Sequence, residues 1–319
     1  MSSVSGLTRG PGDALTERSC HGPGEYRSIA FESGAPLEKY HGWVPLLDEL
    51  GLKIIAQRRG PVRRCLILAQ GIPPPQIDEM VRRLKLLDAR TDLLLHDFDD
   101  PGGAERIVAG HPLRRARDGE RILNKATFVF DLTCDDEALI AAMSADCRRK
   151  LRKAREAGLR VEVADHPAPD MLREFFANFE AMASARGLRS PGRAVMRRMF
   201  EGDLTLFRSL AGEETRSAAT VYRAGDKAIF MIGVGGDKRN DGAGQLLHFE
   251  IMRDLRARGL RWYDFGGVPS TDKNNGIFRF KSGFGGRFVS FGSEYLRRPP
   301  LIRGLVEVKR HVSARLLRR

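Results

Sequence analysis

Apolar positions in the first half of the chain switch between a helical period and short continuous runs. Leu37, Tyr40, Val44 and Leu47 fall on roughly one helical face, whereas residues 64–69 form a short apolar run typical of a buried strand. This pattern predicts an α/β block from Tyr26 onwards. Its predicted elements are a helix over 36–50, strands over 52–56 and 64–69, a helix starting at 73–75, a strand over 92–96, a loop over 102–119 and a strand over 128–132.

A second block of regular elements begins at Thr133. It opens with a helical stripe in which Leu139, Met143 and Leu151 point inward. The predicted elements are helices over 135–157, 171–186, 194–201 and 242–258, and strands over 161–163, 204–209, 218–222, 228–234, 260–265 and 287–291. Their order is similar to that of the GNAT acyltransferase fold, although a fold alone does not give a function.

Length and hydropathy restrict the class of protein. A chain of 319 residues suits two domains of about 150 residues each. No apolar run approaches the roughly 18–20 residues that span a bilayer, and the N-terminus lacks the apolar stretch of a secretory signal. We therefore expect a disordered leader over residues 1–25 on a cytoplasmic protein without a transmembrane segment.

Charge and cysteine usage bear on partners and metals. The net charge of +13 predicts a polyanionic partner, which could be nucleic acid, a membrane surface or a phosphorylated small molecule, unless it reflects only an arginine-rich composition. The four cysteines form no CxxC pair, and no HExxH motif occurs. We predict ordinary reduced thiols and no metal site.

A glycine-rich segment follows one predicted strand and opens a helix: Arg239-Asn240-Asp241-Gly242-Ala243-Gly244. Glycines let backbone N–H groups approach an anion closely, and a helix N-terminus adds a favourable dipole. The RxxGxG spacing resembles the pyrophosphate-binding loop of GNAT acetyltransferases, which implies donor-phosphate binding by Arg239, Gly242 and Gly244. The alternative is a turn in which Asn240 or Asp241 caps the helix.

Two segments near the C-terminus carry the most specific pattern. Residues 263–267 read Tyr-Asp-Phe-Gly-Gly, and after a polar loop residues 276–286 read Gly-Ile-Phe-Arg-Phe-Lys-Ser-Gly-Phe-Gly-Gly. Together they resemble the C-terminal signature of the FemABX family of aminoacyl-tRNA-dependent peptidyltransferases. The arginine-rich helix over 148–158 and the strand over 127–133 also resemble that family, so that the resemblance covers roughly residues 125–298.

The resemblance implies an α/β (α+β) chain of two GNAT-like domains in tandem, each a mixed sheet flanked by helices. We place a degenerate N-terminal domain at 26–133, on which residues 300–319 could pack, and a catalytic domain at 134–299. FemABX enzymes move an amino acid from its tRNA ester to an amine of a peptide-bearing acceptor, usually a peptidoglycan precursor, and their relatives make amide bonds in peptide natural products. The resemblance therefore implies charged tRNA as co-substrate and no cofactor.

The family also suggests roles for single residues. Its FK lysine contacts phosphate and stabilises charge at the reacting carbonyl; here that lysine is Lys281, with Phe280 and Arg279 as neighbouring substrate-binding residues. A fixed ammonium suits the tetrahedral oxyanion of ester aminolysis, since one oxyanion-hole donor is worth about 3–4 kcal/mol. The alternative for Lys281 is a solvated surface side chain.

Further polar and basic residues have two interpretations each. Asp264 could orient the attacking amine or bond to nearby backbone, and Tyr222 and Tyr263 could bond to substrate or pack in the core. The basic helix and the basic C-terminal tail together predict a phosphate-tracking surface for tRNA, against the alternative of a solvated face. The helix contributes Arg148, Arg149, Lys150, Arg152, Lys153 and Arg155.

The sequence is compatible with three functions. The first is a FemABX-like aminoacyltransferase that uses charged tRNA. The second is an acyl-CoA-dependent N-acyltransferase in which the RxxGxG loop holds the pyrophosphate. The third is a non-catalytic nucleic-acid-binding protein with a decayed GNAT core, which only the net charge supports directly.

Overall fold

The structure, a computed structural model, describes residues 34–100, 102–185, 195, 198–199, 204–235, 240–299 and 302. The predicted leader, the tail over 303–319 and most of the predicted helix over 194–201 lie outside the described residues. The helices are α1 (Gly34–His41), α2 (Pro74–Arg83), α3 (Asp136–Ala142), α4 (Ala145–Glu156), α5 (Pro169–Ala185), α6 (Ala243–Ala257) and α7 (Gly276–Ser282). The strands are β1 (Val44–Glu49), β2 (Leu52–Arg59), β3 (Val62–Ala69), β4 (Thr91–Asp97), β5 (Glu105–Val108), β6 (His111–Arg115), β7 (Ala126–Asp131), β8 (Arg160–Ala164), β9 (Leu204–Ala211), β10 (Glu214–Ala224), β11 (Lys227–Val234), β12 (Trp262–Asp264), β13 (Arg287–Ser290) and β14 (Ser293–Arg297).

The described elements fall into two units, one formed by residues 27–125 with those after 289, and a second formed by residues 126–289. Each unit contains a seven-stranded mixed sheet. The predicted α+β class, with mixed sheets flanked by helices, is confirmed. The unit boundaries differ from the predicted 133/134 and 299, because β7 pairs with β12 of the second unit and β14 pairs with β4 of the first.

The sheet of the first unit has the order β1-β2-β3-β4-β14-β6-β5. Strand β4 is buried along its whole length because β3 and β14 flank it on both sides. Helix α2 covers one face, where Ile77 and Val81 pack against the strand residues Leu93 and Leu95. A continuous apolar run, which the sequence showed at β3 and β4, is the expected pattern for such central strands.

Two sequence predictions in the first unit were wrong. The predicted helix over 36–50 ends at His41, because Gly42 adopts a left-handed backbone conformation (φ +69°) and the following residues pair with β2 as β1. The predicted loop over 102–119 contains the β5–β6 hairpin. Its two-residue turn, Ala109-Gly110, has positive φ at both positions, which is the conformation that matches the twist of a tight hairpin.

The sheet of the second unit has the order β13-β7-β12-β11-β10-β9-β8. Helices α4 and α6 cover one face, and their Leu151 and Phe249 share a core with Phe207 of β9. Helix α5 covers the other face through Phe175, which packs on Ala218. The single helix predicted over 135–157 is two helices, since extended backbone at Met143 and Ser144 ends α3 and begins α4.

Strands β11 and β12 diverge, and this divergence shapes the candidate site. They pair in parallel only from Lys227↔Trp262 to Ile229↔Asp264. Strand β11 then continues to Val234, whereas β12 ends. The β10–β11 register shifts just beyond the last pair, so that Phe230 joins the core beneath α6 and Ile232 the core beneath α5. A β-bulge of this kind redirects side chains and is common beside active sites.

Candidate active site

The ammonium of Lys281 lies where β11 and β12 diverge. Helix α7, capped at its N-terminus by the Asn275 side chain, places Lys281 in its last turn. Its Nζ donates to the carbonyl oxygens of Gly266 and Gly267, each at 2.9 Å. The residue is 5% exposed, so the predicted alternative of a solvated surface lysine is wrong.

The surroundings of this ammonium are mainly aromatic. The Phe230 and Phe265 ring centroids lie 5.2 and 5.6 Å from Nζ, within the range of a cation–π interaction. Burial lowers the pKa of Lys281 from its usual 10.5 to about 8, while the charge of Asp264 acts in the opposite direction. The side chain is therefore still charged at neutral pH, in a region of low dielectric.

Asp264 serves the backbone of the same turn. Its Oδ1 accepts hydrogen bonds from the Gly266 N–H at 2.8 Å and from the Thr127 hydroxyl. The residue is 3% exposed at the end of β12. These contacts support the structural interpretation of Asp264, since its carboxylate fixes the turn that presents the two carbonyls to Lys281.

The aromatic candidates occupy different environments. Tyr263 is fully buried, and its hydroxyl is 3.0 Å from His248 Nδ1, which places it in the core and corrects its assignment as a substrate contact. Tyr222 is also buried, on β10 opposite Ile229. Phe280 is half-buried and lies edge-on to Phe284.

On helix α7, Arg279 is exposed, unlike its neighbour Lys281. Four of the predicted site residues thus lie in one region of the second unit: Lys281, Phe280, Asp264 and Tyr263. The Tyr263 hydroxyl is buried and is not accessible to water.

The glycine-rich segment has a clear packing role. Gly242 has φ +83°, and a Cβ there would lie 2.0 Å from the carbonyl oxygen of Lys150 on α4. The N-cap of α6 is Gly242 and not Asn240 or Asp241, although the Asp241 carboxylate accepts a hydrogen bond from the Ala243 N–H. A Cβ at Gly244 would meet the Phe280 ring at 3.4 Å. Arg239 lies outside the described residues.

One comparison with known proteins concerns the second unit. Residues 141–282 match the family model described as an acetyltransferase (GNAT) domain. This segment is similar to GNAT acetyltransferase domains. The predicted membership of the acyltransferase enzymes is thereby confirmed at the level of the domain. A search of curated protein sequences gave no match.

Solved structures with a similar fold cover most of the chain. The crystal structure of FemX aligns with a TM-score of 0.61 at 15% identity, covering 94% of this chain and 98% of FemX. The C-terminal domain of a putative lysylphosphatidylglycerol synthetase from Agrobacterium fabrum aligns with a TM-score of 0.56 at 13% identity over 89% and 94% of the two chains. L-PGS from Bacillus licheniformis aligns with a TM-score of 0.53 at 10% identity over 89% and 95%. The FemABX resemblance read from the sequence is confirmed as a likeness of fold.

The basic helix α4 of the second unit packs beside the glycine-rich segment. Lys153 Nζ donates to the Asn240 carbonyl at 3.1 Å, and the Arg155 guanidinium lies 4.7 Å from the Phe249 ring centroid on α6. The other basic residues of α4 either bond to groups of the protein or are exposed to solvent. Arg148 bonds to carbonyls at the end of α3, Arg149 and Lys150 pair with Asp146, and Arg152 is exposed.

His248, a buried polar residue of the second unit, was not among the site residues predicted from the sequence. Its ring lies 5.0 Å from the Phe230 ring and 4.3 Å from the Phe265 ring, between centroids. Burial and then the Lys281 charge hold the pKa of His248 well below its ordinary value, so that it is neutral at pH 7. Its position within an apolar stripe of the predicted helix was the available signal, because an isolated polar residue there needs a buried partner.

Two structural features are absent from the described residues. No helix in the described part of the chain is both long and apolar enough to cross a bilayer. Within the same described residues, no group of three or more histidine, cysteine or acidic side chains is arranged to hold a metal ion.

Proposed function

We propose that the protein is an aminoacyltransferase that moves an amino acid from aminoacyl-tRNA to an amine of a peptide-bearing or natural-product acceptor. One observation carries the proposal: a buried, charged Lys281 uses two of its three N–H donors on fixed carbonyls. Among the described residues, the third N–H has no acceptor. The FemX-like fold supports aminoacyl transfer as the class of reaction.

The spare N–H of Lys281 suits ester aminolysis. The acceptor amine attacks the ester carbonyl, a C–N bond forms, and the carbonyl oxygen becomes an oxyanion that accepts this hydrogen bond. The C–O bond to the ribose then breaks, and the proton lost by the amine ends on the leaving oxygen. Because Lys281 is held in place before the reaction, it stabilises the oxyanion without reorganisation, an effect worth about 3–4 kcal/mol for one donor.

The exposed part of α4 supplies a tRNA contact in this proposal. Arg149, Arg152 and Lys153 are exposed on one helix, and the ion pairs to Asp146 leave the net charge of that helix positive. Such a surface binds successive phosphates without reading bases. The acceptor surface is proposed only as a class, an amine on a peptide or natural product.

An acyl-CoA donor is the second candidate, favoured by the glycine-rich start of α6. Its pyrophosphate would bind the free N–H groups of Gly244 and the residue after it, at the positive end of the helix dipole. The Asp241 carboxylate weighs against this donor, because it already caps Ala243 N–H and would repel a diphosphate. We therefore rank charged tRNA first.

The test is a transfer assay with radiolabelled aminoacyl-tRNA and two amine acceptors, a muramyl peptide and a free peptide, with phosphatidylglycerol vesicles as a hydroxyl acceptor for comparison. We expect label in an amide product of a peptide amine and none on phosphatidylglycerol, and ribonuclease treatment should abolish the transfer. Lys281→Met should lower turnover at least tenfold, which is about 1.4 kcal/mol, whereas Lys273→Met, in an exposed loop, should not.

Circular dichroism verifies that both variants fold. Full activity of a folded Lys281→Met protein contradicts the assigned role. Label transferred only from acyl-CoA contradicts the proposed donor.

A further inference from the structure

We propose that Tyr263 and His248 act as a positioning pair, which fixes the two aromatic rings that hold the Lys281 ammonium. This inference rests on the proposed function for its catalytic consequence, but its structural content can be tested without any transfer activity. Neither residue is placed in contact with substrate.

The pair connects two elements beneath the ammonium. Tyr263 belongs to β12 and His248 to α6, and the Tyr263 hydroxyl lies 3.0 Å from His248 Nδ1. Tyr263 is fully buried and His248 is 4% exposed. Within the described residues, the Tyr263 hydroxyl has no other hydrogen-bond partner. Each group therefore depends on the other to offset its burial.

The rings that surround Lys281 are the ones that His248 contacts. The His248 ring lies against Phe230 at 5.0 Å and against Phe265 at 4.3 Å between centroids. The same two rings lie 5.2 and 5.6 Å from Lys281 Nζ. A shift of the imidazole therefore moves both walls of the cation–π site.

Backbone hydrogen bonds hold each ring's residue separately: Phe230 pairs with Val221 of β10, and the Phe265 N–H bonds to the Phe128 carbonyl. Phe230 and Phe265 come directly after the last β11–β12 ladder pair, Ile229↔Asp264. No hydrogen-bonded register ties one ring's residue to the other. The imidazole contacts both rings from α6, and the Tyr263 hydroxyl bonds to its Nδ1.

The chemistry of the pair favours a neutral histidine that positions and does not exchange protons. Burial and the neighbouring Lys281 charge both keep its pKa low, and burial keeps the pKa of Tyr263 high. The charged groups acting on this cluster are Lys281 on α7 and Asp264 on β12. At neutral pH, neither member of the pair gains or loses a proton.

The test compares Tyr263→Phe, His248→Phe and the double variant with the wild type. Each single change leaves one buried polar group without its partner, whereas the double change replaces both by rings of similar shape. The first readout is the pH dependence of Lys281 acetylation by acetic anhydride, followed by mass spectrometry. Tyr295→Phe is the matched control, since that buried hydroxyl bonds to the Gly103 N–H in the other unit.

We expect a wild-type midpoint of about 8 for Lys281. A loosened site admits water, so each single variant should raise the midpoint by about one unit, while the double variant returns most of the way and Tyr295→Phe leaves it unchanged. Single variants with the wild-type midpoint overturn the proposal. So does a double variant that remains as displaced as the single ones.

Turnover separates this proposal from the proposed function. Single variants should lower kcat with little change in KM, and the double variant should recover both kcat and the Lys281 midpoint. Recovery of the midpoint without recovery of kcat means that His248 acts chemically, which overturns positioning. A shifted midpoint in a protein that transfers no amino acid from tRNA sustains the pair and refutes the proposed function.

Discussion

Replacing Gly242 by alanine separates a packing role from an anion-binding role for the glycine-rich segment. The added Cβ would lie 2.0 Å from the carbonyl oxygen of Lys150. Relief of that overlap requires α4 and the start of α6 to separate by about 1.4 Å, given ordinary van der Waals distances. Backbone at φ +83° adds strain, because a Cβ disfavours the left-handed region.

The two contributions have known sizes. A left-handed alanine costs about 1–2 kcal/mol, and overpacking between helices costs about 1–3 kcal/mol. We expect Gly242→Ala to lower the free energy of unfolding by about 2–5 kcal/mol. Gly244→Ala is the matched control: its Cβ only touches the Phe280 ring at 3.4 Å, and alanine favours a helix, so its effect should stay within about 1 kcal/mol.

Urea denaturation followed by circular dichroism, without any ligand, measures both variants. Equal denaturation midpoints for Gly242→Ala and Gly244→Ala refute the packing argument. A donor-binding role predicts a different pattern, in which both variants lose affinity for an acyl-CoA and the ligand-free stabilities stay close. The two measurements together assign the segment to one role or show that Gly242 serves both.

Three further predictions concern charge. Between about pH 8 and 10.5 the unfolded chain retains a Lys281 proton that the folded protein has lost. The free energy of unfolding should therefore rise with pH by up to about 3 kcal/mol over this range. Urea titrations of Lys281→Met should lack this rise. His96→Leu should lower the free energy of unfolding by about 1–3 kcal/mol, because the buried Glu294 carboxylate loses its contact with His96 Nδ1 at 3.3 Å and keeps those with the Ile122 and Leu123 N–H groups; the double variant with Glu294→Gln should recover part of that loss in the same titration. Arg152→Gln should reduce the slope of log Kd for tRNA against log salt by about 0.7–0.9 in a filter-binding titration, and an unchanged slope excludes a phosphate contact.

Local sequence predicted those elements whose residues determine their own conformation. The apolar run of β4 and the start of α2 at Pro74 follow from burial and from proline at a helix N-terminus. Strand β14 was missed because its partners, β4 and β6, lie far away along the chain. Helix α7 was missed because its glycine- and phenylalanine-rich sequence lacks a clear helical stripe, although Asn275 is a good N-cap.

The candidate site shows the same division. A lysine among phenylalanines and glycines indicated a buried functional group, and Lys281 is buried. The roles of Asp264 and Tyr263 could not be read in advance. A residue at a strand end can face substrate or core, and a one-residue shift reverses the choice. Only the packed structure places the Tyr263 hydroxyl against His248.

The divergence of β11 and β12 explains why the site needs a lysine in particular. Where the ladder ends, the carbonyls of Gly266 and Gly267 have no partner on β11, although the Thr127 hydroxyl lies 3.0 Å from the Gly266 oxygen, and an unpaired buried carbonyl is costly. The ammonium satisfies both and has one donor left, a capacity that arginine's planar fork does not reproduce in the same space. The ammonium that bonds to these carbonyls at the end of the ladder is therefore also the group with a spare N–H. Its structural and catalytic roles separate only if Lys281→Met is scored for stability and turnover together, since a loss of turnover larger than the loss of folded protein isolates the catalytic share.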